Sequence, residues 1–147
     1  MPGPLQQLLD DLARPSDEAL YRTREDRTAV CLACAHRCRI TPGQSGICRM
    51  RSNRDGVVYR PSGYVAGLGV DPIEKKPFYH VLPGRTAMSF GMLGCNFHCD
   101  FCQNWRSSQA LRDRNADAGP QTCAPERIVR LARSEEHTSE LQSPNTI

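Results

Sequence analysis

The chain is 147 residues long, with 39% hydrophobic and only 6% aromatic residues, so its composition supplies one modest domain with a small core. Its formal charge is +3, and its Lys and Arg residues are scattered rather than gathered on one element, which argues against the basic face that nucleic-acid binding needs. No run reaches the length of a membrane span, and the start, MPGPLQQLLDDLARP, lacks the apolar core and small-residue cleavage site of a secretory signal, so a cytoplasmic protein without a membrane partner is expected.

In chain order, residues 4–22 read as helical. Pro4 suits a first helical position, and Leu5, Leu8, Leu9 and Leu12 recur at helical spacing. Pro15 interrupts, and Ser16, Asp17 and Glu18 can cap a second short helix. Residues 29–50 carry a first block of cysteines. Residues 56–70, GVVYRPSGYVAGLGV, predict two short strands around the turn residues Pro61, Ser62 and Gly63. Residues 71–84, DPIEKKPFYHVLPG, hold three prolines and predict a loop. Residues 86–94, TAMSFGMLG, predict a buried strand ending in glycine, followed by a second cysteine loop. The polar stretch 106–122 is either a surface connection or a mobile excursion near that loop. CAPERIVRLAR then predicts a helix from Pro125, with Ile128, Val129, Leu131 and Ala132 on one stripe. No internal repeat is present.

The last run, RSEEHTSELQSPNTI, has no apolar periodicity and cuts off that helix. Residues 133–143 match the conceptual translation of a common sequencing-library adapter, and Pro144–Ile147 read as index bases and resumed adapter. Ser134–Ile147 is therefore expected to be non-native, Arg133 fits either origin, and the reading frame is expected to be cut short there. A disordered polar tail is the alternative. Without the three Glu of this tail, 13 acids remain against 19 bases, a charge of +6.

Eight cysteines are many for this length, and without an export signal they point to metal or redox chemistry rather than disulfides. The sharpest pattern is LGCNFHCDFCQNW, residues 93–105, in which Cys95, Cys99 and Cys102 lie within eight positions. Thiolates are soft ligands that suit iron–sulfur chemistry, and three of them can hold three irons of a cubane cluster. The fourth iron is then open, as a catalytic zinc site keeps one position open. Gly91 and Gly94 allow the backbone to turn around such a core. The bland alternative is a zinc knuckle that borrows His98 or a distant cysteine. His98 directly precedes Cys99, which is poor geometry for one metal, so it reads as a surface or flanking residue. Asn96, Gln103, Asn104 and Trp105 are candidates for steadying the loop or tuning a cluster, with simple packing the plainer role for Trp105.

The Cys-x3-Cys-x2-Cys loop, with Phe101 just before its last cysteine, resembles the signature of the radical S-adenosylmethionine (SAM) superfamily. The flanking DPIEKKPFYHVLPG and GCNFHCDFCQNW narrow the resemblance to the radical SAM enzymes of the AmmeMemoRadiSam system, relatives of pyruvate formate-lyase activating enzymes. The likeness runs from about Cys31 to Gln109. It implies a 4Fe-4S cluster on Cys95, Cys99 and Cys102, with SAM chelated at the open iron and its adenine against Phe101. It also implies reductive cleavage of SAM to a 5′-deoxyadenosyl radical, an electron donor such as a flavodoxin or ferredoxin, and a protein substrate among the candidate partners. The implied fold is α/β: the N-terminal fragment of a partial (β/α) radical SAM barrel, preceded by a cysteine-bearing extension. The expected boundaries are 1–84 for the extension, 85–133 for the first strand, cluster loop and first helix, and 134–147 for the tail. The family's Gly-Gly-Glu-type SAM segment is absent.

In the first block, Cys31, Cys34, Cys38 and Cys48, with His36 as a substitute, offer a second metal site around Pro42, Gly43 and Gly46. Three readings stay open: structural zinc, a second iron–sulfur cluster, or packed free thiols. Cys123 reads as inert. Lys75, Lys76 and His80 are weak candidates for substrate or partner contact, since charged loop residues are usually solvated. There is no phosphate-binding Gly-Lys-Ser/Thr loop and no nucleophile elbow. Two rivals to the enzyme are a zinc-binding interaction module and a ferredoxin-like electron carrier.

Overall fold

The structure is a computed structural model that describes residues 4–113 and 118–133. The expected adapter-derived tail lies outside the described residues. Of the described residues, 4–62, 93–113 and 118 form one compact unit, and 63–92 with 119–133 form another.

The first unit opens with helix α1, Pro4–Asp11, which starts at the expected proline and buries Leu9. The chain does not stay helical to residue 22. Pro15 removes an amide donor, and Ala13–Pro15 instead forms the edge strand β1. Asp17 does act as a cap, its carboxylate accepting from the Ala19 amide (2.9 Å), but over a single 3-10 turn, Glu18–Leu20. Strands β2 (Tyr21–Thr23), β3 (Ala29–Cys31) and β4 (Arg39–Ile40) form one antiparallel sheet, with Arg22 opposite Val30 and Val30 opposite Arg39. Strands β5 (Ser52–Arg54) and β6 (Val57–Pro61) form a second sheet with β1, in the order β1-β6-β5. The β5–β6 hairpin closes through Asp55 and Gly56, both at positive φ (55° and 94°), as a two-residue turn of matching twist requires. A side chain at residue 56 would also press on Thr23 Cγ2 at 3.0 Å.

The small core of this unit is Leu9, Ala29, Cys31, Ile40, Val58 and Leu93. Asn53 is completely buried with them. Its Nδ2 donates to the carbonyls of Arg27 (2.8 Å) and Ile40 (2.7 Å), and its Oδ1 accepts from the Gly56 amide (2.7 Å). One side chain thus joins the two sheets and the hairpin turn.

The second unit holds β7 (Tyr64–Val65), β8 (Gly67–Pro72), β9 (Thr86–Gly91), β10 (Gln121–Thr122) and helix α3 (Pro125–Arg133). Strands flank the Pro61–Gly63 turn as expected, and α3 begins at the expected Pro125. β8 and β9 pair antiparallel from Gly67↔Gly91 to Pro72↔Thr86, and β7 pairs antiparallel with β10.

The expected partial (β/α) barrel is overturned. Among the described residues every strand pair is antiparallel, and the sheets are small, with two or three strands each. A parallel barrel strand needs a crossover, usually a helix, before its neighbour. Here the segment between β8 and β9 contains only a 3-10 turn, Ile73–Lys75, so the chain doubles back as a ribbon. Nor is β9 buried: Phe90 is half exposed, as befits one strand of a two-stranded sheet.

Among the described residues no helix is long and apolar enough to cross a membrane.

Candidate functional site

Both cysteine segments lie in the first unit. Gly94 opens the second loop at φ +78°, and its amide donates to Ser107 O (3.0 Å). A Cβ at this position would stand 2.9 Å from the Cys48 carbonyl oxygen and against Met50, so only glycine lets the loop approach the first block this closely. The tight-turn role expected of Gly94 therefore has a specific cause. Gly91 ends β9 and meets nothing that a Cβ would strike.

Cys95 and Cys102 are half-buried and Cys99 is exposed. The Phe97 amide donates to Cys95 Sγ (3.4 Å), and the Ser108 hydroxyl lies 3.4 Å from Cys102 Sγ. A Cys102 N to Cys99 O bond (3.2 Å) makes the tight turn across Asp100 and Phe101. Phe101 is 88% exposed, so the whole ring faces solvent. Phe97 and His98 are exposed too, and with Asn96, Ile47, Arg49 and Arg112 they line a cleft of about 700 Å³. Trp105 is exposed rather than packed, at the start of the short helix α2, Trp105–Ser108. Asn104 steadies the loop's exit through its carbonyl, which accepts from the amides of Ser107 and Ser108. Gln103 is exposed.

In the first block, Cys31 is buried at the end of β3, its amide bonded to Cys38 O (2.9 Å). The chain between them turns through Arg37 at φ +48°, whose guanidinium donates to Leu32 O (2.6 Å). Gly46 packs beside Cys38, whose Sγ would lie 3.5 Å from a Cβ there. Cys34, Cys38 and Cys48 are half-buried, and all eight cysteines are free thiols. His36 bonds through Nε2 to the Asn96 carbonyl (2.7 Å) and meets the Phe97 ring edge-on at 6.0 Å. A carbonyl only accepts, so the His36 Nε2 is the donor in this bond.

Among the described residues, no three His, Cys, Asp or Glu side chains gather closely enough to hold a metal ion. The donor set of the second loop nevertheless fits a cluster in its chemistry: three free thiols on one solvent-facing loop, two with hydrogen-bonding groups at the sulfur, which stabilise thiolate ligands.

The residues that hold the loop were not evident from residue type. Arg112 donates to the carbonyls of Cys95 (2.9 Å), Phe97 (3.0 Å) and Ile47, and to Gln109 Oε1 (3.0 Å). Buried Gln109 donates to Phe97 O (3.3 Å) and Ser108 Oγ (3.2 Å). Arg49 donates to Leu111 O (2.7 Å). The polar stretch after the loop, up to Asp113, is therefore part of the site. Its only sequence signal is the i, i+3 spacing of Gln109 and Arg112.

The other weak candidates lie in the second unit. Lys75 and Lys76 both bond to Asp71 (3.0 Å each), and Lys76 also bonds to Ser89 Oγ (3.2 Å). The two ammonium groups hold the Asp71 carboxyl below its ordinary value, the Lys76 hydrogen bond first. The Gly84 amide does the same to Glu74, closing the 73–85 segment. His80 is exposed, and Cys123 is buried, its amide bonded to Gly63 O (2.9 Å).

The chain is similar to the uncharacterized protein MJ0808 of Methanocaldococcus jannaschii, 39% identical over 113 residues, which cover 76% of this chain and 33% of that protein. It is also similar to the uncharacterized protein MJ0674 of the same organism, 29% identical over 108 residues, covering 73% of this chain and 26% of that protein. The chain thus spans about a third or less of the length of these relatives. No family model matches it, and no solved structure matches it.

Proposed function

We propose that this chain carries the cluster-binding segment of a radical SAM enzyme. Cys95, Cys99 and Cys102 would hold three irons of a 4Fe-4S cluster and leave the fourth for the amino and carboxylate groups of SAM. The observation that carries this reading is the set of three free thiols on one solvent-facing loop beside a fully presented aromatic ring, Phe101. When bound, the cluster supplies the electron that cleaves the SAM sulfonium bond to a 5′-deoxyadenosyl radical. The chain's own residues do the rest. Phe101 offers a flat face for the adenine. The Phe97 amide and Ser108 hydroxyl stabilise the thiolates of Cys95 and Cys102. The loop's exposure gives access to a flavodoxin- or ferredoxin-like electron donor, in a cytoplasmic setting where thiols stay reduced. A partner protein is the substrate class that fits the resemblance to pyruvate formate-lyase activating enzymes. Cys31, Cys34, Cys38 and Cys48 would take a second metal, zinc or iron–sulfur.

Anaerobic reconstitution with iron and sulfide tests this. A brown, oxygen-sensitive protein is expected, with an electron paramagnetic resonance signal that changes on adding SAM. Replacing Cys95, Cys99 or Cys102 by Ala should abolish the part of the signal that changes on adding SAM. A colourless, zinc-only protein would instead make the chain a zinc-binding interaction module. The turn from Cys31 to Cys38 is the feature that favours this second reading, since its thiols sit on a small sheet with little apolar core. A cluster that ignores SAM would make it an electron carrier.

A further inference from the structure

The cysteine loop is gripped by its backbone. Three consecutive carbonyls, those of Cys95, Asn96 and Phe97, each accept a hydrogen bond from a side chain outside the loop. His36 takes the middle one, and Arg112 takes both outer ones. The same guanidinium also reaches Ile47 O in the first cysteine block. A planar fork with five donors can satisfy several acceptors at once, which a lysine ammonium at the end of a flexible stem cannot do in the same geometry. From Arg112 the network continues through Gln109 to Ser108 and so to Cys102 Sγ. One cation therefore ties the backbone at Cys95 to the thiol at the other end of the motif.

We infer that Arg112 is the positioning residue of the three-cysteine loop, fixing the backbone that presents Cys95 and Cys102 and placing a permanent positive charge at the main chain of the loop that carries the thiols. The second half rests on the cluster reading above. A fixed cation favours the more negative, reduced state of a cluster, so it raises the reduction potential. The backbone half stands without any metal.

Hydrogen exchange on the metal-free full-length chain tests the backbone half. In Arg112→Gln, the Gly94 and Phe97 amides should exchange at least about tenfold faster, while the Asn53 amide, in the same unit, should keep its protection. Arg112→Lys should also speed exchange at the loop, because charge alone does not restore the fork. Unchanged exchange at Gly94 and Phe97, or an equal loss at Asn53, overturns the assignment. After reconstitution, Arg112→Gln should bind iron about tenfold or more weakly, the scale on which supporting residues act. Its cluster potential should fall, while that of Arg112→Lys should stay near the parent value. Equal potentials in the parent chain and Arg112→Gln overturn the charge role. If the parent chain takes up no cluster, the radical SAM reading fails, and the exchange experiment still decides the role of Arg112.

Discussion

Asn53 shows how much of this small protein rests on single polar residues. With few apolar side chains to bury, the first unit joins its two sheets through one amide that satisfies two carbonyls and one amide hydrogen. Asn53→Ala would leave all three groups without that partner, two of them, the Ile40 carbonyl and the Gly56 amide, in buried bonds. Each buried loss costs about 1–3 kcal/mol, so a loss of about 2 kcal/mol or more is expected in urea unfolding of the full chain. Gly94 makes the second residue-scale case. Gly94→Ala adds a Cβ that must displace the Cys48 carbonyl and Met50, at a backbone angle disfavoured for any residue but glycine. A destabilisation of about 2 kcal/mol is expected, together with faster alkylation of Cys95. The placement of Cys95, Cys99 and Cys102 on one loop was readable beforehand, because three residues within eight positions are neighbours in any fold. The grip by Arg112 was not readable. A side chain bonded to distant carbonyls leaves no periodicity in the sequence, and an arginine in a polar run looks like any solvated one.

Elements were legible where a local rule decides them. Pro4 and Pro125 marked helix starts, and Asp17 marked a cap. Asp55-Gly56 is a strong hairpin signal, and it marks the turn between β5 and β6. Pairing was less legible, because it is set by distant partners. The apolar run at 86–94 suits a buried parallel strand or an exposed ribbon, and only the return of the chain through residues 73–85 makes it β9 of an antiparallel pair. That ribbon carries its own pH dependence. Asp71 has a folded-state pKa below its unfolded value, so its ion pairs with Lys76 and Lys75 add stability that is present above about pH 3.9. The contribution is lost as pH falls through the lower folded value. Asp71→Asn should therefore unfold more easily than the parent chain at neutral pH and low salt, and the gap should close in strong acid. Thermal melts followed by circular dichroism across that range check the sign.

At the scale of the whole molecule, the two cysteine segments are one assembly within the first unit. His36 sits between Cys34 and Cys38 and holds Asn96, and Arg49 follows Cys48 and holds Leu111. Whatever orders the first block should therefore order the second. Cys38→Ser, or chelation of a metal bound there, is expected to speed exchange at the Phe97 amide and to lower iron uptake by Cys95, Cys99 and Cys102 about tenfold, measured by iron analysis. This coupling has no counterpart in the linear pattern, where the two blocks are separated by five strands, of which β7, β8 and β9 belong to the second unit. The outside side chains that hold Cys95, Asn96 and Phe97 share one further property: they address main-chain oxygens. Every residue owns such an oxygen, so the acceptors for His36, Gln109 and Arg112 survive a change of side chain at Asn96 or Phe97, and what is lost is the edge-on contact of Phe97 with His36 and the Asn96 contact with the Cys95 thiol. The surface can thus be recut for a different guest while the frame beneath it keeps its grip.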